Sequence, residues 1–277
     1  MSLIIDSHIH FWRLARGDYT WMRPEMAILL QDHLPEDLSP QLRQAGVDKI
    51  VVVQAAETLA ETEFTLGLAS RYPMIAGVVG WVELAAPTVA ADIARLAVHP
   101  LVKGFRPVRN DNASIAWMAD TALDAGLRLL AERGLSLDIL IQNPDELPIA
   151  IGLIERHPDI VTIIDHCAKP DIAARAYEAW ARNLRIAASY PQVNCKFSGL
   201  LNRAAPGWAM ADLKPYADHV LDCFGPGRLL WGSDWPPLRL AGDYANWWAV
   251  SQELLAGLSA ADRACVLGNT ARRVYRL

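Results

Sequence analysis

Near the N-terminus the run Asp6-Ser7-His8-Ile9-His10-Phe11-Trp12 sets two histidines two residues apart beside an aspartate. Residues two apart on a strand share a face, so both imidazoles can reach one point. Neutral imidazoles so placed suit a divalent metal or paired polar contacts to a substrate, whereas an accidental, exposed His-x-His pair is the plainer alternative. A second candidate is Leu229-Leu230-Trp231-Gly232-Ser233-Asp234-Trp235-Pro236-Pro237, where an apolar stretch delivers a carboxylate just before a Trp-Pro-Pro turn. That carboxylate can accept a proton from water or ligate a metal; the competing role, capping a helix, is weakened by the two prolines. A third is His166, within Ile163-Ile164-Asp165-His166-Cys167-Ala168-Lys169-Pro170. It is either another ligand or a satisfied structural histidine, and Lys169 beyond it reads as a surface or capping residue.

Positioning such residues requires a scaffold, and the hydrophobic pattern supplies one. Apolar, β-branched runs at 3–7, 49–54, 75–82, 101–106, 135–142, 160–165, 193–198 and 228–234 read as eight strands. Several, such as Lys49-Ile50-Val51-Val52-Val53-Gln54, are continuously apolar, as expected for parallel strands covered on both faces. Helical patterns lie between and after them at 35–45, 60–71, 88–97, 114–133, 145–156, 171–189, 211–223 and 244–256, several ending in Gly or Pro stop signals. This alternation, without a linker, predicts a single-domain (β/α)8 barrel over residues 1–277, with a doubly wound open sheet as the competing topology. Segment 11–32, with Trp12, Trp21 and Met22, either folds over the barrel mouth or simply packs.

In a barrel the chemistry sits at the carboxyl ends of the strands. Those ends carry Asp6, His8 and His10, then Gln54, Glu83, Arg106, Asp138 and Gln142, then Asp165 and His166, Lys196 and Ser198, and finally Asp234. Composition narrows the partners. The 277 residues carry 26 basic and 31 acidic side chains, net −5, with 52% hydrophobic residues and a mean hydropathy of +0.13. Disorder and nucleic-acid binding are disfavoured. Neither an apolar run of about 18 residues nor a secretory pattern is visible, so a cytoplasmic protein without membrane contact is expected. The 4 cysteines form no C-x-x-C pair and suit reduced thiols.

The motifs together resemble a known family. The N-terminal Asp6-x-His8-x-His10-Phe11-Trp12, Lys103-Gly104-Phe105-Arg106, Asp165-His166-Cys167-Ala168-Lys169-Pro170, Cys195-Lys196-Phe197-Ser198-Gly199, Gly232-Ser233-Asp234-Trp235-Pro236 and Gly268-Asn269-Thr270-Ala271 are similar to amidohydrolase family 2, in order along the chain. The branch resembled is that of sugar lactone hydrolases such as L-fuconolactonase and L-rhamnonolactonase. The resemblance implies a distorted TIM barrel with His8, His10, His166 and Asp234 as the catalytic and metal-binding cluster. Arg106, Lys196, Gln54, Asp138 and Trp235 are the implied or candidate substrate contacts. Binuclear relatives use a carbamylated lysine on strand four and a histidine on strand five. Here those positions show Arg106 and a histidine-free 135–142, which argues against two metals.

The activity expected is opening of the lactone ring of a neutral sugar acid by water, with Asp234 as general base. His8, His10 and His166 either bind one divalent ion, zinc or manganese, or polarise the carbonyl themselves without metal. An arginine guanidinium stays protonated, so Arg106 serves in hydrogen bonding; a structural ion pair across the mouth is the alternative role for Arg106 and Lys196. Trp12, Trp81, Trp208 and Trp235 are available to stack on a sugar or to pack. A metal-dependent decarboxylase of an unsaturated or aromatic acid is the alternative enzyme, and a non-catalytic sugar-acid binder the alternative outside enzymes. Oligomeric state is not legible.

Overall fold

The computed structural model describes residues 3–108 and 115–277. Eight parallel strands pair in chain order: β1 (Ile5–Ile9), β2 (Lys49–Val53), β3 (Ile75–Gly80), β4 (Val102–Phe105), β5 (Ser136–Ile139), β6 (Thr162–Ile164), β7 (Val193–Phe197) and β8 (Leu229–Trp231). The helices that follow are α1 (Pro35–Ala45), α2 (Leu59–Ala69), α3 (Val89–Ala97), α4 (Asp124–Glu132), α5 (Leu147–Arg156), α6 (Glu178–Ala188), α7 (Met210–Phe224) and α8 (Tyr244–Leu254). The expected (β/α)8 barrel is the architecture, and the open-sheet alternative falls.

The continuous apolar runs are explained by two buried faces. Ile5, Val51, Val53, Val79, Ile163 and Leu230 fill the barrel interior, while the alternate residues Ile50, Val52, Val78, Leu137, Ile164 and Leu229 pack outward against the helices. This is the two-residue strand period applied to two apolar surroundings. The seam between β8 and β1 closes without a full strand ladder. His10 N donates to Trp235 O at 2.8 Å, Asp234 N to His8 O at 2.9 Å, and Ser7 Oγ to Trp231 O at 2.7 Å. Closure therefore brings the first and last sequence motifs side by side.

Three expectations need correction. The helix predicted over 114–133 is broken: 3-10 turns at Ile115–Ala119 and Thr121–Leu123 precede α4, because Asp120 is extended and its side chain accepts from Ala122 N. Ser114, its predicted first residue, lies outside the described residues. The helix over 171–189 begins only at Glu178, after a turn containing the Asp171–Ala176 bridge and a left-handed Arg175. Beyond the expected helices, α9 (Ala260–Ala264) and α10 (Thr270–Val274) continue the chain, and Ala271, Val274 and Tyr275 join the barrel interior.

Segment 11–34 forms two 3-10 turns and its own small core, Trp12, Tyr19 and Leu29 against Ala55 and Ala56. Buried Glu61 ties it to the β2–α2 loop: its carboxylate accepts from Ala55 N and from Tyr19 Oη and lies 3.3 Å from the Arg16 guanidinium. Burial pushes Glu61 up to about 7. Among the described residues no helix is long and apolar enough to cross a membrane.

Candidate active site

His8, His10, His166 and Asp234 come together at the carboxyl ends of β1, β6 and β8. Asp234 Oδ1 lies 3.7 Å from His8 Nε2, 3.4 Å from His10 Nε2 and 3.8 Å from His166 Nε2. The two N-terminal imidazoles meet Nε2 to Nε2 at 3.1 Å. His8, His166 and Asp234 each offer a ligand atom within 4.8 Å of the others.

Each imidazole is aimed by what its other nitrogen touches, the usual arrangement behind metal-ligating or catalytic histidines. His10 Nδ1 is 2.8 Å from Val53 O, and since a carbonyl only accepts, that nitrogen carries the proton and Nε2 presents a lone pair. His166 Nδ1 is 2.9 Å from Ser198 Oγ, and His8 Nδ1 is 3.4 Å from Asp165 Oδ1. Burial lowers all three: His166 falls to about 4, His8 goes well below its usual range, and His10 moves the same way despite its contact with Asp234. All three are thus neutral near pH 7. Burial alone would raise Asp234, but His166 and His10 beside it hold it below the ordinary carboxylate value, so it is ionised. Every one of these contacts uses Oδ1; among the described residues Oδ2 has no partner.

Two glycines make room. A Cβ on Gly232 would come 2.8 Å from His8 Cβ, and one on Gly199, at φ +74°, 2.7 Å from His166 Cβ. The backbone is also strained here. His166, Cys167, Ala168 and Lys169 form four consecutive left-handed residues, φ 52°, 53°, 56° and 46°, and Asp234 sits at 62°. At about 1–2 kcal/mol per left-handed L-residue, this is strain of the kind that clusters at functional sites.

The expected substrate contacts are all buried, around and beneath the cluster. Lys196 and Asp138, both 0% exposed, lie beneath the cluster instead of lining the mouth. Lys196 Nζ is 2.7 Å from Asp138 Oδ2 and 3.1 Å from Asp165 Oδ1, and Tyr275 Oη donates to Asp138 at 2.6 Å. Arg106, 5% exposed, donates to Asp165 Oδ2 and to Gln54 O, and Gln54 returns its amide to Arg106 O. The ion-pair alternative thus describes both cations, with Asp165 as the shared partner. Trp235 and Trp12 are buried in packing against His33, while Trp81 and Trp208 remain half-buried. Two surface clefts, about 510 Å³ beside Lys103, Arg133 and Arg276 and about 710 Å³ beside Asp124 and His157, border the amino ends of β4 and β6, away from this cluster.

Asp165, which joins His8, Lys196 and Arg106, stood at a strand end in the sequence but received no role. Ser198 likewise stood in the Cys-Lys-Phe-Ser-Gly run. Tyr275 gave no signal at all.

With this geometry established, the amidohydrolase family profile matches residues 5–277. The chain belongs to the amidohydrolase family. This amidohydrolase is 39% identical to the L-fucono-1,5-lactonase of Burkholderia ambifaria, over 100% of this chain and 97% of that protein. It is 36% identical to the L-fucono-1,5-lactonase of Burkholderia multivorans, with the same coverage. A crystal structure of a Burkholderia multivorans amidohydrolase with bound zinc superposes with a TM-score of 0.95 at 35% identity, covering 100% of both chains.

Proposed function

We propose that this amidohydrolase hydrolyses the lactone ring of a sugar acid, with His8, His10, His166 and Asp234 as its working cluster. The observation that carries the proposal is three neutral imidazoles converging on one ionised carboxylate at the barrel mouth, in a chain similar over its whole length to two L-fucono-1,5-lactonases.

The donor set fits one divalent ion. Four ligands around a tetrahedral metal at about 2.0–2.1 Å stand about 3.3–3.4 Å apart; the contacts of Asp234 with the three imidazoles and of His8 with His10, 3.1–3.8 Å, lie close to that spacing, and His8, His166 and Asp234 offer ligand atoms within 4.8 Å of one another. His10 and His8 also point nitrogens at each other at 3.1 Å, and His10's proton is on the far side. His8, His10, His166 and Asp234 would hold the ion, and zinc is the one named for the similar crystal structure. When bound, such an ion supplies Lewis acidity toward the lactone carbonyl.

The side chains do the rest. Asp234 Oδ2, free of partners among the described residues, is the general base that takes a proton from the attacking water. Val53 O, Ser198 and Asp165 hold the imidazoles in their neutral, inward-facing forms. Arg106 and Lys196 neutralise Asp165 and Asp138 below the cluster and fix its floor.

A panel of aldono-1,4- and aldono-1,5-lactones, L-fucono-1,5-lactone among them, tests the reading through proton release in weakly buffered indicator, alongside a carbon dioxide assay on aromatic and unsaturated carboxylic acids. Lactone hydrolysis above the spontaneous rate without carbon dioxide is the expected result. Carbon dioxide release with inert lactones would replace this reading by the decarboxylase.

A further inference from the structure

His10 is held from two directions. Its Nδ1 donates to Val53 O at 2.8 Å, on the last residue of β2, and the chain that leaves it through Phe11 and Trp12 becomes the segment 11–34. Past Val53 the ladder of β2 with β3 ends in one bond, Gln54 N to Val79 O at 2.8 Å. The next two peptide groups are fixed by side chains instead. Gln54 O accepts from Arg106, and Ala55 is gripped on both backbone atoms: its N donates to Glu61 Oε1 at 2.9 Å, and its O accepts from Trp21 Nε1 at 2.7 Å.

Trp21 belongs to segment 11–34, and so do the groups on the other oxygen of Glu61. Tyr19 Oη donates to Oε2 at 3.2 Å, and the Arg16 guanidinium lies 3.3 Å from the same atom. Thr58 accepts from Glu61 N at 3.0 Å, which caps α2 and fixes the backbone from which the carboxylate reaches, while its hydroxyl donates to Asp18 Oδ2 at 3.2 Å. A circuit results. It runs from His10 along the chain to Tyr19 and Trp21, across to Glu61 and Ala55, and back through Val53 O to His10. Glu61 fastens the two halves, one oxygen on each. The residue is 0% exposed, and burial of its charge is costly, so a leucine would fill the space with less penalty. A leucine could not accept these hydrogen bonds.

Resting on the reading of His10 as a member of the working cluster, we infer that Glu61 is a positioning residue: it locks Val53 O behind His10 Nδ1, which keeps the proton on that nitrogen and the Nε2 lone pair facing Asp234. Among the described residues Glu61 makes no hydrogen bond or ion pair with the cluster itself, so its effect passes through the backbone of residues 53–55. The nitrogen of an imidazole that carries the proton is set by the partner of the other ring atom, and groups that orient a metal-binding histidine in this way govern affinity for the ion.

The test uses the full chain freed of metal by a chelator, with ring-¹⁵N histidine, at about pH 8, where Glu61 is ionised. Long-range ¹H–¹⁵N spectra, with His10 assigned by its loss in His10→Gln, are expected to show the proton on Nδ1 in the wild-type protein. In Glu61→Leu the His10 signal should move toward the Nε2–H form, and affinity for zinc, read by competition with a chromogenic chelator, should fall about 10–100-fold. Glu61→Gln, whose amide oxygen still accepts from Ala55 N, should regain most of both signals. Leu153→Ala, a cavity in α5 outside the barrel, should lower the melting temperature and leave both unchanged. If the leucine variant does not fold, Glu61→Asp gives the same readings, because it keeps the charge but draws back from Ala55 N by one methylene. A wild-type His10 spectrum and zinc affinity in Glu61→Leu or Glu61→Asp, no recovery in Glu61→Gln, or equal changes in Leu153→Ala would overturn the positioning role. Neither signal needs a substrate, so failure of the wild-type protein to open any lactone would instead overturn the lactonase reading.

Discussion

At the scale of single residues, the chemistry depends on charge states that burial sets. His8, His10 and His166 are neutral because desolvation penalises their charged forms, whereas Asp234 stays ionised because those same imidazoles surround it. Asp234→Asn keeps the shape and removes the proposed base, so kcat is expected to fall about 10²–10⁴-fold with an unchanged circular dichroism spectrum. Retention of most activity would move the base elsewhere. His8, His10, His166 and Asp234 were legible in the sequence because each ends an apolar run, and a barrel gathers such ends. Lys196 and Asp138 were named for the same reason. Strand period gives the face, not the depth, and these two point into the barrel below the mouth, where only a mutual ion pair makes burial tolerable. Lys169, read as a surface or capping residue, does cap the turn after β6, but nothing in a linear pattern announces four left-handed residues in a row.

The elements place these groups through close approaches that only glycine permits. Gly199, just past β7, touches the turn after β6 that carries His166. Gly199→Ala adds a Cβ 2.7 Å from His166 Cβ at a left-handed backbone, and should cost about 1–3 kcal/mol in stability from overpacking and strain. It should also lower kcat at least tenfold by displacing the imidazole. Gly207→Ala is the control: its φ is +79° but nothing lies within 4 Å, so it carries the backbone penalty alone and should keep full activity. Equal kinetic damage in both variants, measured beside thermal melts, would separate the site from this contact. All eight strands were readable because β-branched runs covered on two faces have few other interpretations. The helix expected over 114–133 was not, since Asp120 turns its side chain back on the local backbone, a competition that hydrophobic periodicity does not register.

Across the whole molecule, one charge network joins the site to the rest of the barrel. Lys196 on β7 binds Asp138 on β5 and Asp165 after β6, Arg106 after β4 shares Asp165, and Tyr275 reaches in from beyond α10. The C-terminal segment is thereby a plug whose hydroxyl completes the floor of the site, a link invisible to sequence because its partners lie 137 residues away. Lys196→Met would leave two buried carboxylates facing each other without their ammonium. A loss of about 3–5 kcal/mol is expected, the range for breaking a buried ion pair from one side, and denaturant unfolding measures it. A loss below about 1 kcal/mol would mean that the network contributes little to holding the barrel.

The central claim, that water opens a lactone at the Asp234 cluster, is tested most directly by single-turnover hydrolysis of L-fucono-1,5-lactone in H₂¹⁸O, comparing the wild-type protein with Asp234→Asn. The account predicts turnover well above the spontaneous rate in the wild-type protein, with one ¹⁸O in the carboxylate, none at the released hydroxyl, and near-spontaneous rates in the variant. Label at the hydroxyl carbon's oxygen, or equal rates for the two proteins, would contradict it.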